Sequence, residues 1–331
     1  MAPSKRDIVA EFYDALDEMG EYCDFDIGRY STGMTAPEWT HFRHRDHDGS
    51  SAFAHLLHTK ANTDIDIQTS PNPPSSWTLF VAWLRLLLVG LRRRAPMRWR
   101  RLDKSWRPMA ATRSRPTAVA WSLFSKEETL RLGEVARSRG VSLQTWLLWA
   151  IKQAIVPELV PDTGAVSWHV PVSMHGAFPS EGQRRNSNFS LEVTFPPEAG
   201  PDGVHKAIRQ ELRLRRHWVA AKWTFSYAWM IAPWLFRRLV RLVAMYGPPW
   251  QGSFSNSGAM DLPLAEGESD IEEWFIGLNP VVKSSPLGAS SVEWRGRLCL
   301  SLQIHPSLAT DPQVARDWMA SWRRFAEGGE Q

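Results

Sequence analysis

The stretch His41-Phe42-Arg43-His44-Arg45-Asp46-His47-Asp48-Gly49 restricts this chain more than any other, because its surroundings fix what its backbone must do. Before it, Trp39, His41 and Arg43 alternate with Thr40, Phe42 and His44, the period-2 pattern of a strand over 38–45. After Gly49, Ser50 and Ser51 open a run with Phe53, Leu56 and Leu57 at helical spacing. A strand that turns tightly into a helix holds its last residues rigidly and leaves a ring at the turn exposed. A histidine held in this way meets the positional demands on a general base near neutral pH. A satisfied structural histidine is the alternative reading of His44. Metal binding by His41, His44 and His47 with Asp46 and Asp48 is disfavoured. On a strand His44 faces away from the other two, and the helix starts only after the cluster, so no metal is expected.

The chain has 331 residues, 43% hydrophobic and 22% charged, without low-complexity tracts or a repeat of fixed period. That is enough for one large or two modest domains with a real core. Cys23 and Cys299 stand far apart and neither belongs to a Cys-x-x-Cys pair, which argues against a zinc ribbon or a disulfide scaffold. The acidic, amphipathic first twenty residues do not resemble a signal peptide, so a cytoplasmic protein is expected.

Net charge is +4, yet residues 85–115 hold eleven Arg or Lys against the single acid Asp103. Just upstream, Trp77 to Leu91 is strongly apolar, interrupted only by Arg85, and too short to span a bilayer comfortably. An apolar helix edged by Trp and followed by Arg92-Arg93-Arg94 reads equally as a buried helix with a solvated connector or as an interfacial segment. The second reading makes residues 77–101 a peripheral contact with an anionic membrane surface. Nucleic acid is the less favoured partner. The basic run could instead steer an acidic acyl carrier protein.

The remaining pattern is mixed. Helices are expected at 5–20, after Gly49, from the capping box Ser125-Lys126-Glu127-Glu128 to about Ser138, and from Leu143 to Val156 behind Ser142. Further helices are expected from Asp202 to about Trp218, within 219–247, and from Asp311 with Pro312 at its first position to Ala326. Strands are expected at 23–30, 117–124, 166–173, 188–195, 252–258, 273–278 and 289–294, with Arg295-Gly296 turning into 297–304. Trp121, Trp168 and Trp294 are expected in the core. The class is α/β with a mixed sheet, and the chain divides into residues 1–116 and 117–331.

This order of elements resembles the chloramphenicol-acetyltransferase-like superfamily, which includes peptide-synthetase condensation domains and wax ester synthases. The residues that carry the resemblance are Arg43-His44-Arg45-Asp46-His47-Asp48-Gly49 for a His-His-x-x-x-Asp-Gly motif and the capped helix pair from Ser125 to Val156. They also include Val170-Pro171-Val172-Ser173, Asn186-Ser187-Asn188-Phe189, Phe254-Ser255-Asn256-Ser257-Gly258, and the closing hairpin with its final helix. The first motif histidine is Arg43 here, and only 43 residues precede His44, so the resemblance implies a reduced N-terminal lobe.

The resemblance implies an acyltransferase with His44 as general base, moving an acyl group from a coenzyme A or acyl carrier protein thioester to a hydroxyl or amine. It implies a structural Asp48 paired with an arginine, Gly49 at the turn, and Ser255 or Asn256 as oxyanion donor, with Ser253 the weaker choice. No bound cofactor is implied. A homo- or hetero-oligomer could complete the short lobe. The competing reading is a non-catalytic binding or assembly partner of another acyltransferase or synthase subunit.

Overall fold

A computed structural model describes residues 7–21, 23–61, 74–90, 96–106, 116–160, 164–174, 188–226, 230–246, 250–260 and 271–329. Asn186 and Ser187, Arg92 to Arg94 and most of the Pro-rich connection lie outside the described residues. The larger layer is a six-stranded sheet of β3 (Ala118–Leu123), β9 (Arg297–Ile304), β8 (Leu287–Trp294), β6 (Gly252–Met260), β4 (Val166–Ser173) and β5 (Asn188–Phe195), in that order. The pairs β4–β6 and β6–β8 are parallel and the others antiparallel, so the sheet is mixed as the sequence implies. Arg295 and Gly296 both adopt positive φ at the β8–β9 turn, the twist a tight hairpin requires.

The main core lies between this sheet and the helices α5 (Leu143–Ile155) and α9 (Pro312–Ala326). Ser142 caps α5 and Asp311 caps α9, each side chain accepting from a first-turn N–H. Two tryptophans stitch these helices together. Trp146 Nε1 donates to Ala326 O at 2.7 Å and Trp322 Nε1 to Leu147 O at 3.0 Å, so each large ring is buried with its one donor satisfied. Outside them, α4 (Lys126–Ser138) begins in the expected capping box. Lys152 of α5 is also buried, and its Nζ donates to the carbonyls of Pro197 and Ala199, at 2.9 Å each.

The second layer is a three-stranded sheet in which β1 (Phe25–Ser31) lies between β2 (Glu38–Phe42) and β7 (Glu273–Leu278). It takes one strand from the carboxyl half of the chain. The hydroxyls of Ser290 on β8 and Ser301 on β9 both donate to Gly277 O of β7, which fastens the small sheet onto one face of the large one. α2 (Gly49–Ala61) closes it from above through Ala52, Phe53, Leu56 and Leu57 against Phe25, Ile27, Phe42, Phe275, Val292 and Trp294.

Four expectations need correction. The strand over 38–45 stops at Phe42, and residues 44–46 form a turn in which Asp46 N and His47 N both donate to Arg43 O. The single helix expected from Asp202 to Trp218 is two, α6 (Pro201–Leu214) and α7 (Arg216–Ser226), broken where Arg215 takes φ 54°. Trp121 is 37% exposed and packs edge-on against Trp39 instead of entering the core, whereas Trp168 and Trp294 are buried. The basic connector is partly a strap. Pro96 and Trp99 bridge to Ala165 and Leu159, and Met97 and Trp99 sink into the core while Arg98, Arg100 and Arg101 point outward.

Candidate active site

Phe42 is the last inward residue of β2, and the chain leaves the strand directly after it. The backbone N–H of His44 donates to Asp24 Oδ1 at 3.2 Å, which pins the turn to the residue just before β1. The imidazole lies between Tyr13, stacked at 4.7 Å between centroids, and Phe25, edge-on at 5.3 Å. Tyr13 belongs to α1 (Ile8–Asp17), so the first helix covers the motif. Arg45 Nη1 donates to Asp14 Oδ1 at 2.7 Å and holds α1 there.

Burial lowers the pKa of His44 below the ordinary imidazole value, because the charged form loses its water. A hydrogen bond of the ring to the residue's own backbone and the carboxylates of Asp48 and Asp24 pull the other way and do not overcome it. The lowered pKa favours the neutral form of the ring. One ring nitrogen is engaged by the residue's own backbone.

Asp48 is fully buried and acts as the N-cap of α2. Its Oδ1 accepts from Ser51 N at 2.8 Å, while its own N–H donates to Ser51 Oγ at 2.9 Å. This is a reciprocal capping arrangement with serine at the third helical position. It explains the Asp-Gly spacing locally: Asp48 caps and Gly49 is the first helical residue. Ser50 and Ser51 therefore follow the cap; neither is itself the cap.

The neighbouring histidines take other roles. His41 bridges two buried carboxylates, with Nδ1 at 3.2 Å from Asp26 Oδ1 and Nε2 at 3.3 Å from Asp24 Oδ2. His47 packs edge-on against Phe42 and lies 5.6 Å from the ring of His55. His169 packs on Trp250 at 4.4 Å. Among the described residues no three His, Cys, Asp or Glu side chains converge as a metal site would need. Cys23 and Cys299 are both buried, and burial raises the Cys299 thiol pKa far above its usual value.

The pleat separates the remaining candidates. In the parallel pair β6–β8, Ser255 sits beside Ser290 and Asn256 beside Ser291. Ser290 reaches β7, so Ser255, and with it Ser253 two residues earlier, lie on the sheet face that carries β7 and the motif layer. The Ser253 hydroxyl oxygen is buried with no hydrogen-bond partner among the described residues. Asn256 instead opens on the helix side, where its Oδ1 accepts from Gly258 N at 2.9 Å. There it lines a cleft of about 290 Å³ with Ser142, Gln144, Ser291 and Glu293. His44 does not line that cleft. Sequence reasoning missed Ser142, Ser291 and Glu293 as cleft residues, since only the placement of the α5 N-terminus beside β6 and β8 brings them together.

A buried network outside the motif was also missed. His305 Nδ1 accepts from Ser307 N at 3.1 Å and contacts Ser307 Oγ at 2.7 Å, so its Nε2–H donates to Glu21 Oε2 at 3.0 Å. Glu21 follows α1, and the bond ties the helix that covers His44 to the end of β9. No local pattern marks a pair 284 residues apart.

No protein-family model and no curated protein sequence matches the chain. Solved structures do. The first condensation domain of the calcium-dependent antibiotic synthetase, in complex with a substrate analogue, matches with a TM-score of 0.53 at 13% identity, over 87% of this chain and 65% of that one. The starter condensation domain of rhizomide synthetase, in complex with C8-CoA and Leu-SNAC, matches with a TM-score of 0.52 at 12% identity, over 88% and 65%. This chain thus spans less than two thirds of either structure. The chain shares the fold of these condensation domains.

Proposed function

We propose that the protein is an acyltransferase that moves an acyl group from a coenzyme A or carrier-protein thioester to a hydroxyl or amine acceptor. The observation that carries this reading is a histidine, His44, held at a strand–turn–helix junction of a condensation-domain fold, with a pKa that burial lowers. In this reading the His44 imidazole takes the acceptor's proton as the acceptor attacks the thioester carbonyl. The carbon–sulfur bond then breaks, and the thiolate leaves with the proton that His44 returns. Ser255, on the same sheet face as β7, is the favoured donor to the oxyanion, with Ser253 behind it. Asn256 faces the other side and is assigned to the cleft. Asp48 shapes the turn without taking part in proton transfer.

The test is thioester consumption with a panel of acyl donors and acceptors, comparing the wild type with His44→Ala. Loss of a general base lowers the rate by about 10²–10⁴-fold. Because burial depresses the His44 pKa, the rate is flat at neutral pH and falls only as acidification protonates the ring, below the ordinary imidazole range. Equal rates for the two proteins refute the assignment.

A second reading draws on Tyr13, which stacks on the imidazole, and on the cleft, which excludes His44. Under it the fold is a binding or assembly partner of another synthase subunit or a second copy, and it consumes no thioester. A membrane contact through residues 77–101 is compatible with both readings.

A further inference from the structure

The described helices divide sharply by charge. α1, α4, α6 and α9 each carry acidic residues, whereas α2, α3 (Ser76–Gly90), α5, α7 and α8 (Pro233–Tyr246) carry cations and no acid. Of these, α3, α7 and α8 expose most of the large apolar side chains on the described surface. On α3 these are Trp77, 71% exposed, with Phe80, Trp83 and Leu84, while Leu79 and Ala82 face inward. α7 adds Trp223.

α8 shows the pattern most fully. Phe236, Val240 and Ala244 form one buried stripe that packs against Ile8, Ala15 and Leu16 of α1. Leu235, Leu239, Leu242 and Val243 form a second stripe beside it that is open to solvent, and Trp234 is 66% exposed at the start of the helix. Arg237 and Arg241 both pair with Glu18 of α1, and Arg238 is exposed. The helix is about 21 Å long.

We propose that this face of α8 lies on an anionic lipid bilayer, with its leucines in the acyl boundary and Arg238 among the headgroups. The open apolar stripe is bordered by α1 on one side and by arginines on the other. Two of these arginines are paired with Glu18, so Arg238 is the cation that meets a surface apolar below and negative above. The basic run after α3 is the weaker anchor where it is described, because Arg100 donates to Leu159 O and Arg101 pairs with Glu158. No described helix is long and apolar enough to cross a membrane, which makes the contact a peripheral one. The proposal develops the membrane part of the reading above and does not depend on acyl transfer.

The experiment is flotation of the full chain with phosphatidylcholine vesicles, with and without phosphatidylglycerol, at low and high salt. Wild type floats with the anionic vesicles, less so at high salt. Leu239→Glu combined with Leu242→Glu lowers the vesicle partition coefficient by about tenfold or more, and Arg238→Glu by about fivefold. Leu130→Glu, on the acid-bearing helix α4, leaves it unchanged. The single variant Arg238→Glu carries the test should the double variant fail to fold. Absence of wild-type flotation on anionic vesicles overturns the proposal, as does equal flotation of the α8 variants. So does a wild-type dimer in sedimentation that Leu239→Glu converts to monomer, since a second copy would then cover the face. Binding is read without substrate, so its failure leaves acyl transfer standing, and an inactive protein that floats leaves the lipid contact standing.

Discussion

His44 and His217 show how one physical cause, burial, serves different ends. At His44 it lowers the pKa of a ring proposed as a base. At His217, buried on α7 beside Arg215, it lowers the pKa to about 4 from an ordinary 6.5, with the nearby guanidinium adding to the effect. No described partner satisfies its Nδ1. The unfolded chain binds a proton at this position as pH falls through about 6.5, and the folded chain does so only near 4. Stability therefore drops across that window and levels off below it. Chemical denaturation at several pH values between 7 and 4 measures the slope, and His217→Leu flattens it. A profile of the same steepness in the variant would assign the slope to other groups. The identity of His44 as the motif histidine was legible in the sequence. Its lowered pKa was not, because Tyr13 and Phe25 supply the desolvation from separate elements.

Helix starts were the most legible elements, since a cap is decided within four residues. Ser125, Ser142 and Asp311 cap where their spacing places them. Asp48 belongs with them, although the resemblance paired it with an arginine and its described bonds are to Ser51. Asp48→Ala is expected to cost about 1–2 kcal/mol in urea unfolding, and Asp48→Asn much less, since an amide oxygen can still accept from Ser51 N. Equal losses would mean that the negative charge, and not the cap, holds the turn. The end of β2 was less legible. Period-2 alternation runs on through His44, but the peptide groups after Phe42 bond into a helical turn around Arg43 O. The break between α6 and α7 was also hidden. Nothing near Arg215 signals a left-handed residue, and packing of Trp218 on Leu79 and Met174 pulls the second helix out of line.

For the molecule as a whole, the close approach of parallel strands sets the sharpest limit. A Cβ at Gly252 would lie 2.1 Å from Leu287 O on β8, backbone that has nowhere to move without parting β6 from β8. Gly252→Ala is expected to destabilise by about 3 kcal/mol or more, read as a lower midpoint in thermal or urea unfolding. It should also displace Ser253 and Ser255. Near-wild-type stability would show that the pair can spread at that end.

The sequence was sufficient for whatever depends on near neighbours: caps, the Arg295-Gly296 hairpin, strand-like and helix-like stretches, and through their order the condensation-type fold. The three-dimensional arrangement alone placed β7 beside β1, set α1 over His44, tied Glu21 to His305, and decided which face of the sheet Ser255 shares with β7. The physical reason is sequence separation. Caps and turns are short-range hydrogen bonds with a residue signature, whereas strand pairing, burial and the pKa of a ring depend on partners from other elements, tens to hundreds of residues away, that no local pattern specifies.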